Sequence, residues 1–490
     1  MGFTYLDLLI LVAYIVGITY FGIRVAGKQK TTKDYFLGGK KIPWWAVCFA
    51  IVAAETSTLT VISVPGLAYL TNLNFLQIAI GYLIGRIVVS FVILPAYFRG
   101  ELGTAYTYLH TRFGAKMKNI ASGTFMLTRL AADGVRLFAT AIPLAVILRG
   151  TVIAESLSPT NIYVLSIAII ALVALTYTFI GGIRSVIWID VIQMCIYIGG
   201  AIAAIIIVVG LIPGGLTAAV SEASRAGKLQ FFNFAPEGGL GAFFQTPYTF
   251  LGGLIGGAFL SMASHGIDQL IVQRLLTTGS VKSSRKALIG TGIIVIFQFA
   301  VFLFLGSLLY VYYGGASITP DEVFPTFIVQ EMPTGLSGLI IAGLFAAAMS
   351  TLAGSISSLT SATVYDYLIP YSKWFTEDNQ VKISRIFIVI WSILLACSAL
   401  LFMRSPQAVV ELALSIASFT YGGLLGTFFL GVLFTRTKQI HAIPAFFTGI
   451  LVMIYVILFT SIAWTWYTII GTTVTVSTGL LLSYLIDRES

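Results

Sequence analysis

The chain is divided into about thirteen long apolar stretches, separated by short polar segments. They lie near residues 5–26, 42–70, 75–98, 118–149, 161–182, 187–212, 247–271, 287–313, 335–363, 384–403, 408–433, 441–461 and 465–486. Each could cross the roughly 30 Å hydrocarbon core of a bilayer as a helix. Only 10% of the residues are charged, against roughly 25% in a soluble domain. The sequence therefore predicts an all-α polytopic membrane protein of about thirteen transmembrane helices, with the lipid bilayer as its solvent.

The basic residues predict an orientation. If the first stretch runs from outside to inside, most Lys and Arg residues between the stretches fall on the cytoplasmic side, and the outer segments keep Arg149, Arg225, Lys228 and Arg404. Short cytoplasmic loops are enriched in Lys and Arg. We therefore expect a cell-membrane protein with its N-terminus outside and its C-terminus in the cytoplasm. The net charge of +9 is then explained by the basic residues of the cytoplasmic loops, and no nucleic-acid partner is expected.

The second and seventh stretches share an unusual composition. The second carries a run of polar residues from Glu55 to Ser63, followed by Pro65-Gly66, and the seventh opens with four glycines and continues to His265. Two such interrupted spans, five spans apart, indicate an inverted repeat of broken helices around a midplane binding site. We expect one transmembrane domain over residues 1–490. Its predicted parts are an extra first helix (5–26), repeat one (42–212), repeat two (247–433) and two C-terminal helices (441–486).

Several motifs then carry a family resemblance. Residues 181–193 read GGIRSVIWIDVIQ, and residues 265–274 read HGIDQLIVQR. With the order of the spans, these runs resemble the sodium/solute symporter family, whose members include sodium-coupled glucose, proline, sialate and pantothenate carriers. The resemblance implies a leucine-transporter-type fold with five-plus-five inverted repeats. It also implies sodium-coupled uptake of a small polar solute (a sugar, sugar acid, carboxylate or amino acid) by alternating access, for which one chain suffices.

The resemblance further implies a site for Na+, the coupling ion. Ala53, Thr56 and Ala347 would supply backbone oxygens, and Ser350 and Thr351 would supply hydroxyls. Hydroxyl and carbonyl oxygens suit a hard cation. Alternatively, these hydroxyls bond the carbonyls one turn back, as is common for Ser and Thr in helices.

Some members of the family bind a second sodium ion through an aspartate that matches Asp190. The two hydroxyl residues that complete that site appear here as Ala353 and Gly354. This departure leaves Asp190 as a possible second ion or proton site, and a single sodium ion is expected.

Ionisable residues inside apolar spans indicate the substrate site, because burying them in a membrane is costly. Glu55 either contacts the solute, exchanges a proton, or caps a half-helix. Arg136 has two interpretations. In one, Asp133 neutralises Arg129, so that Arg136 stays unpaired and faces a solute carboxylate. In the other, Arg136 belongs to a structural group of charges. His265 either contacts the solute or packs with a satisfied ring nitrogen. The full set of expected substrate contacts is Glu55, Ser57, Thr60, Arg136, Ser264, His265 and Asp268.

Three other functions differ from sodium symport in what they require. A proton-coupled transporter would use Glu55 or Asp190, and its uptake would persist without sodium. A membrane enzyme is not expected, because His110, His265 and His441 are scattered and no nucleophile motif is present. A channel would show flux without saturation.

Overall fold

The protein is helical throughout the part that the structure describes. This computed structural model describes residues 4–26, 36–56, 58–99, 104–149, 157–234, 238–372, 379–403 and 409–486, and all regular elements in these ranges are helices. The longer helices are α1 (Tyr5–Ala26), α2 (Trp44–Thr56), α3 (Thr58–Leu70), α4 (Leu76–Val92), α5 (Ala105–Phe113), α6 (Ala115–Arg149), α7 (Pro159–Leu211), α8 (Gly215–Arg225), α9 (Gly257–Gly266), α10 (Gln269–Leu276), α11 (Val281–Tyr312), α12 (Pro320–Glu331), α13 (Leu336–Ala362), α14 (Gln380–Leu401), α15 (Val409–Leu433), α16 (Gln439–Phe459) and α17 (Tyr467–Ile486).

Short helical segments lie between the longer helices, and hydroxyl side chains cap three of the longer ones. The short segments are Gly38–Lys40, Leu94–Tyr97, Gly239–Gln245, Gly252–Gly256, Thr363–Leu368, Ile369–Tyr371 and Trp464–Trp466. The hydroxyls of Thr104, Ser158 and Ser280 each accept a hydrogen bond from the backbone N–H three residues on, and so begin α5, α7 and α11. Two spans meet inside α7 at Gly182, whose φ of 58° suits glycine because it has no Cβ.

The predicted spans are present as helices, but fewer of them are long and apolar throughout. Within the described ranges, nine helices satisfy both conditions, and the bent pair α2–α3 makes a tenth. The other three predicted spans correspond to α4, which has 17 residues, to α6, and to the interrupted stretch over α9. The middle of α6 carries Arg129, Asp133 and Arg136. The chain is thus a multi-pass membrane protein whose less apolar spans contain its polar residues.

The second span is broken where its polar run begins. Helix α2 ends at Thr56 and α3 begins at Thr58, and the segments Trp44–Thr56 and Thr60–Leu70 are bent by 54° relative to each other. Pro65 and Gly66 lie inside α3 and do not interrupt it. The break therefore lies beside Glu55, one residue from the end of α2.

The seventh span is also broken, but not at its glycines. Gly252–Gly256 form a π-helical turn that continues into α9, and the chain leaves helical geometry only at Ile267 and Asp268. The Asp268 carboxylate accepts a hydrogen bond from the Leu270 backbone N–H at 2.9 Å and so caps α10. The expectation that the glycines mark the interruption is wrong, because they serve helix packing.

Glycines let α4 lie directly against the start of the seventh span. A Cβ at Gly81 would collide with the Gly253 carbonyl oxygen, and one at Gly257 would lie 2.7 Å from the Ile78 carbonyl oxygen. Small residues of this kind allow helix backbones to approach closely in membranes.

The two broken spans lie at the centre of the bundle. Helix α2 packs against α7, α11 and α13, while α9 packs against α4 and α15. Helix α1 lies against α7 and α13, and α16 and α17 lie against α15. The breaks therefore face a space bordered by α6 and α15.

Candidate functional site

A cavity of about 80 Å³ lies where the two broken spans face each other. It is bordered by both helix breaks, α4, α6, α11 and α15. The polar residues that line it are Glu55, Thr60, Tyr82, Arg129, Arg136, Ser264, His265, Asp268 and Tyr421. Of the seven expected substrate contacts, six therefore line one cavity. Ser57 lies outside the described residues.

Glu55 is held by a buried arginine from α4. One guanidinium nitrogen of Arg86, Nη2, lies 2.6 Å from both carboxylate oxygens. His265 Nε2 lies 3.5 Å from Glu55 Oε2, and the Ser264 hydroxyl lies 2.8 Å from His265 Nδ1. Glu55 therefore forms an ion pair with Arg86, whereas the helix-cap alternative had its carboxylate bound to the end of a half-helix.

A second charge cluster joins α6 to the break between α9 and α10. Asp133 bridges two arginines, Arg129 at 3.4 Å and Arg136 at 3.3 Å. Arg129 also lies 3.3 Å from Asp268, whose carboxylate accepts a hydrogen bond from the Tyr421 hydroxyl. Of the two alternatives for Arg136, the one that leaves it unpaired is wrong, because Asp133 reaches both arginines. Arg136 nevertheless has the most open charged side chain of the cavity, 20% exposed against 13% for Glu55.

The residues expected to bind sodium lie on two helices that are in contact. Ala53 and Thr56 are buried near the end of α2, which packs against α13, where Thr351 is also buried. Gln298 Nε2 donates a 2.6 Å hydrogen bond to the Thr56 hydroxyl, while its buried Oε1 has no hydrogen-bond partner among the described residues. The side chains of Ala347 and Ser350 lie outside the described part. Hydroxyl and amide oxygens, which suit a hard cation, are thus present near this contact.

Asp190 lies apart from the cavity and already has a positive partner. Arg274 Nη2 lies 3.2 Å from its carboxylate, and both side chains are fully buried. Arg274 Nη1 also donates a 3.0 Å hydrogen bond to the Leu270 carbonyl. A Cβ at Gly354 would lie only 2.6 Å from Arg274 Nη2. The missing side chain at residue 354 thus provides the space that the guanidinium occupies.

A larger cavity of about 870 Å³, here called the vestibule, lies beyond one end of the central cavity. Consecutive residues of α15 connect the two, since Val409 and Glu411 line the vestibule and Val410 lines the central cavity. Between them, Phe75 contacts Phe299 and Tyr248 with ring centroids 5.4 and 5.5 Å apart. The Tyr248 hydroxyl donates a 2.5 Å hydrogen bond to Glu411. These aromatic side chains form a layer between the two cavities.

Three residues that shape these sites were not among the expected solute contacts. Arg86 is a charged residue in the middle of an apolar span, a signal that could have marked it as the partner of a buried acid. Tyr421 and Gln298 carry no comparable local signal, because their importance depends on which helices α15 and α11 contact.

Two interrupted spans that face each other across a charged cavity, with a larger vestibule beyond, define a secondary transporter. The chain belongs to the sodium:solute symporter family, whose model matches residues 35–451. It is 28% identical to the sodium/sialic acid symporter NanT of Aliivibrio fischeri, over 98% of this chain and 93% of that protein. Human sodium-coupled monocarboxylate transporter 1 is 27% identical, over 91% of this chain and 72% of the human protein.

Solved structures agree with this assignment. A Na+-coupled sialic acid symporter, solved in a substrate-bound outward-open state, matches with a TM-score of 0.85 and 26% identity, covering 98% of both chains. Mhp1, a nucleobase-cation-symport-1 family transporter, matches with a TM-score of 0.53 at 12% identity and covers 94% of this chain and 95% of its own, so it shares the fold. The predicted family and leucine-transporter-type fold are confirmed. The protein is a sodium-coupled symporter of a small organic solute, with Na+ as the coupling ion, and it is not an enzyme.

Proposed function

We propose that this protein carries a small carboxylate-bearing solute into the cell together with one sodium ion, and that Arg136 binds the carboxylate. The observation that carries this proposal is the position of Arg136, which lines the cavity and has its most exposed charged side chain. Among the described residues, its one ion-pair contact is with Asp133, at 3.3 Å. A guanidinium binds a carboxylate with two parallel hydrogen bonds, so a solute can add to this contact.

The named substrates of the relatives support the same chemistry. Sialic acid and monocarboxylates, which appear in the names of the similar symporters, share a carboxylate and differ in the rest of the molecule. The other expected contacts, Glu55, Ser57, Thr60, Ser264, His265 and Asp268, would then surround the rest of the solute.

The sodium site that we propose consists of Ala53, Thr56 and Ala347 backbone oxygens with the Ser350 and Thr351 hydroxyls. The contact between α2 and α13 and the burial of Thr56 and Thr351 support it. Because Thr56 lies at the break of the second span, an ion bound there would favour one arrangement of α2 relative to α13. A coupling ion shifts the conformational equilibrium only through its different affinity for the two states.

Proton coupling through Glu55 is not favoured. Glu55 is paired with Arg86, and a carboxylate beside a guanidinium is stabilised in its charged form. Glu55 therefore serves better as a fixed charge than as a proton carrier. At Asp190, the guanidinium of Arg274 already lies beside the carboxylate, which supports one sodium ion rather than two.

The orientation proposed for the cycle follows from the basic residues. With the N-terminus outside and the C-terminus in the cytoplasm of a cell-membrane protein, the vestibule would open to the outside. Sodium and the solute would enter through it and pass the layer of Phe75, Tyr248 and Phe299. The two repeats, 42–212 and 247–433, would then rock against each other within a single chain.

The test is a thermal-shift titration of the detergent-purified protein in NaCl, KCl or choline chloride at constant ionic strength. We expect a saturable, sodium-specific rise in Tm that Ser350→Ala abolishes and Thr448→Ala keeps, since Thr448 lies on α16 with its hydroxyl bonded to the Pro444 carbonyl. Equal responses to all three salts would contradict the sodium site.

The carboxylate contact is tested in the same assay with organic acids in the presence of sodium. Arg136→Gln should leave the sodium response intact and weaken the solute response by about 10- to 100-fold, because a hydrogen bond to a charged group contributes roughly 1.5–3 kcal/mol. Arg225→Gln, an exposed arginine of α8, is the matched control. An unchanged solute response in Arg136→Gln would refute the proposed role.

A further inference from the structure

We infer that a cavity at the C-terminal ends of α15 and α17 binds the headgroup of an anionic phospholipid, such as phosphatidylglycerol. The site lies apart from the central cavity and the vestibule, and the transported solute plays no part in it. Three properties of this third cavity, here called the lipid cavity, support the assignment. They are its size, its charge and the surface onto which it opens.

The lipid cavity begins where the close packing of α15 on α17 ends. The two helices run side by side in the same direction. A Cβ at Gly422 would lie 2.7 Å from Gly471 Cα, and one at Gly479 would lie 2.5 Å from Leu430 Cδ1. Just beyond this last contact α15 ends at Leu433, and a cavity of about 550 Å³ opens. Pockets for drug-sized ligands measure roughly 300–1,000 Å³, so a glycerol phosphate headgroup fits.

The wall of the lipid cavity has an apolar part and a polar part. The apolar lining residues are Leu433, Phe434 and Leu480, and the polar ones are Thr435, Arg436, Thr437, Ser483 and Tyr484. Leu433 and Tyr484 are exposed, as are Leu481 and Leu485 on the same end of α17. The cavity therefore opens onto an apolar surface at the end of two spans. Such a wall suits an amphiphile whose chains lie along the leucines while its headgroup lies among the polar residues.

The lipid cavity carries a positive charge that no nearby acid balances. Arg436 is exposed and has no ion-pair or hydrogen-bond partner among the residues that the structure describes. None of the described lining residues is acidic. A guanidinium binds a phosphate group through two parallel, charge-assisted hydrogen bonds. The cavity is therefore suited to an anion, and to a phosphate in particular.

Arg112 of α5 removes the repulsion that an anion would otherwise meet at the end of α15. The free carbonyls at the C-terminus of a helix carry a partial negative charge. The Arg112 guanidinium donates hydrogen bonds to the carbonyls of Gly431 at 3.2 Å, Phe434 at 2.9 Å and Thr435 at 2.6 Å. Because Arg112 caps this helix end, Arg436 is not needed there and its charge is available to a ligand.

The location favours a lipid over a soluble phosphate. Tyrosine side chains such as Tyr484 are enriched at the membrane–water interface, and basic pockets between transmembrane helices on the cytoplasmic side bind anionic headgroups. With the orientation proposed above, the lipid cavity lies in the cytoplasmic leaflet. A soluble phosphate would contact Arg436 alone, whereas the chains of a lipid would also contact Leu433 and Leu480.

The experiment measures the Tm of the purified, delipidated full-length protein in an uncharged detergent at constant sodium concentration. The added probes are palmitoyl-oleoyl phosphatidylglycerol, palmitoyl-oleoyl phosphatidylcholine, glycerol 3-phosphate and inorganic phosphate, each over a concentration series. We expect a saturable rise in Tm with phosphatidylglycerol and a much smaller response to the other three. Native mass spectrometry, which counts the lipid molecules that stay bound, provides a second readout.

Three substitutions test the role of Arg436. Arg436→Gln should weaken the phosphatidylglycerol response about tenfold, because hydrogen bonds to a charged group are lost. Arg436→Lys should keep most of the response, since a lysine still binds phosphate as a point charge. Lys282→Gln removes the same charge from an exposed position at the start of α11, away from the lipid cavity, and should leave the response unchanged.

Three results would each overturn the assignment. Equal responses to phosphatidylcholine and phosphatidylglycerol would show that the cavity does not select an anionic headgroup. Glycerol 3-phosphate or inorganic phosphate acting as well as phosphatidylglycerol would show that the ligand is a soluble phosphate and not a lipid. Equal losses in Arg436→Gln and Lys282→Gln would show that lipid is attracted by the overall basic surface and not by this site.

Discussion

At the scale of single residues, the pair Asp190–Arg274 contains two fully buried charges that depend on each other. Their side chains are 3.2 Å apart, and Gly354 leaves the space that the guanidinium fills. Removing one partner of a buried ion pair leaves an uncompensated charge, whereas replacing both is much less harmful.

Arg274→Met should therefore lower the free energy of unfolding by roughly 3–5 kcal/mol, and Tm should fall accordingly. The double variant Asp190→Asn with Arg274→Met should recover much of this loss, because no buried charge remains. Thermal unfolding of the single and double variants in one detergent measures the coupling. Additive losses in the double variant would show that the two residues act independently.

The sequence indicated most of the polar residues of the cavity but few of their partners. Glu55, Arg136 and Asp268 were recognisable because each is an ionisable residue in an apolar span. That Arg86 neutralises Glu55, and that Tyr421 bonds Asp268, depends on contacts between helices far apart in the chain. Such contacts leave no local pattern. The pairing of Arg136 is different, because Asp133 lies three residues away on α6 and reaches both arginines.

At the scale of helices, the contact between α4 and the start of the seventh span depends on missing side chains. Gly81→Ala should lower the free energy of unfolding by roughly 1–3 kcal/mol, as overpacking does in a well-packed interior. Gly199→Ala is the matched control, since a Cβ there has no heavy atom within 4 Å. The two substitutions are compared by their Tm values, and equal values would contradict this account of the packing.

A second contact between helices depends on Asp321, at the start of α12 and outside the spans. It accepts a hydrogen bond from the Ser63 hydroxyl of α3 and one from the Val409 backbone N–H of α15 at 3.4 Å. Burial raises the pKa of Asp321 above its ordinary value. The folded protein therefore binds this proton more tightly than the unfolded chain does. This contribution to stability grows as pH falls towards 3.8 and is lost as pH rises through the raised pKa.

Asp321→Asn should remove that contribution, so the difference in Tm between variant and wild type should change as the pH is lowered from 7. Glu222→Gln, on the exposed surface of α8, should show no such change. The measurement is Tm against pH for the three proteins. Parallel curves for Asp321→Asn and wild type would rule out the predicted proton linkage.

The positions of the spans were largely predictable, whereas the details of their interruptions were not. Apolar length identified the helices, and the polar run after Ala54 located the first break. In the seventh span, four glycines within six residues suggested a break, yet the helix continues through them and ends at Gly266. Glycine occurs both in turns and where two helices pack closely. Which of the two applies here depends on α4, which packs against these glycines.

At the scale of the whole molecule, the charged side chains at the cavity balance one another. Glu55 and Asp268 line it together with Arg129 and Arg136, and the buried partners behind them, Arg86 and Asp133, add one charge of each sign. A solute with a single negative charge and one sodium ion together add no net charge to this set. Transport with that stoichiometry moves no net charge across the membrane.

Uptake into proteoliposomes should therefore not respond to a membrane potential imposed with potassium and valinomycin. Each net charge carried inward would add roughly 2.3 kcal/mol of driving force at 100 mV, so a second sodium ion would produce a large stimulation by an inside-negative potential. Initial rates of sodium-driven uptake at zero and at negative potential measure this. A strong stimulation would refute the one-to-one stoichiometry.

A guanidinium fixed beside Asp190, in place of a second mobile cation, would have a consequence for the cell as well as for the fold. With one mobile cation per solute, the highest inside-to-outside ratio of solute equals the outside-to-inside ratio of sodium. A second mobile cation would allow the square of that ratio, raised further by an inside-negative membrane potential. Once the internal solute exceeds that ratio, the same cycle runs backwards and releases it. The space left by Gly354 would in this way help to set the highest internal concentration of solute that the transporter can maintain.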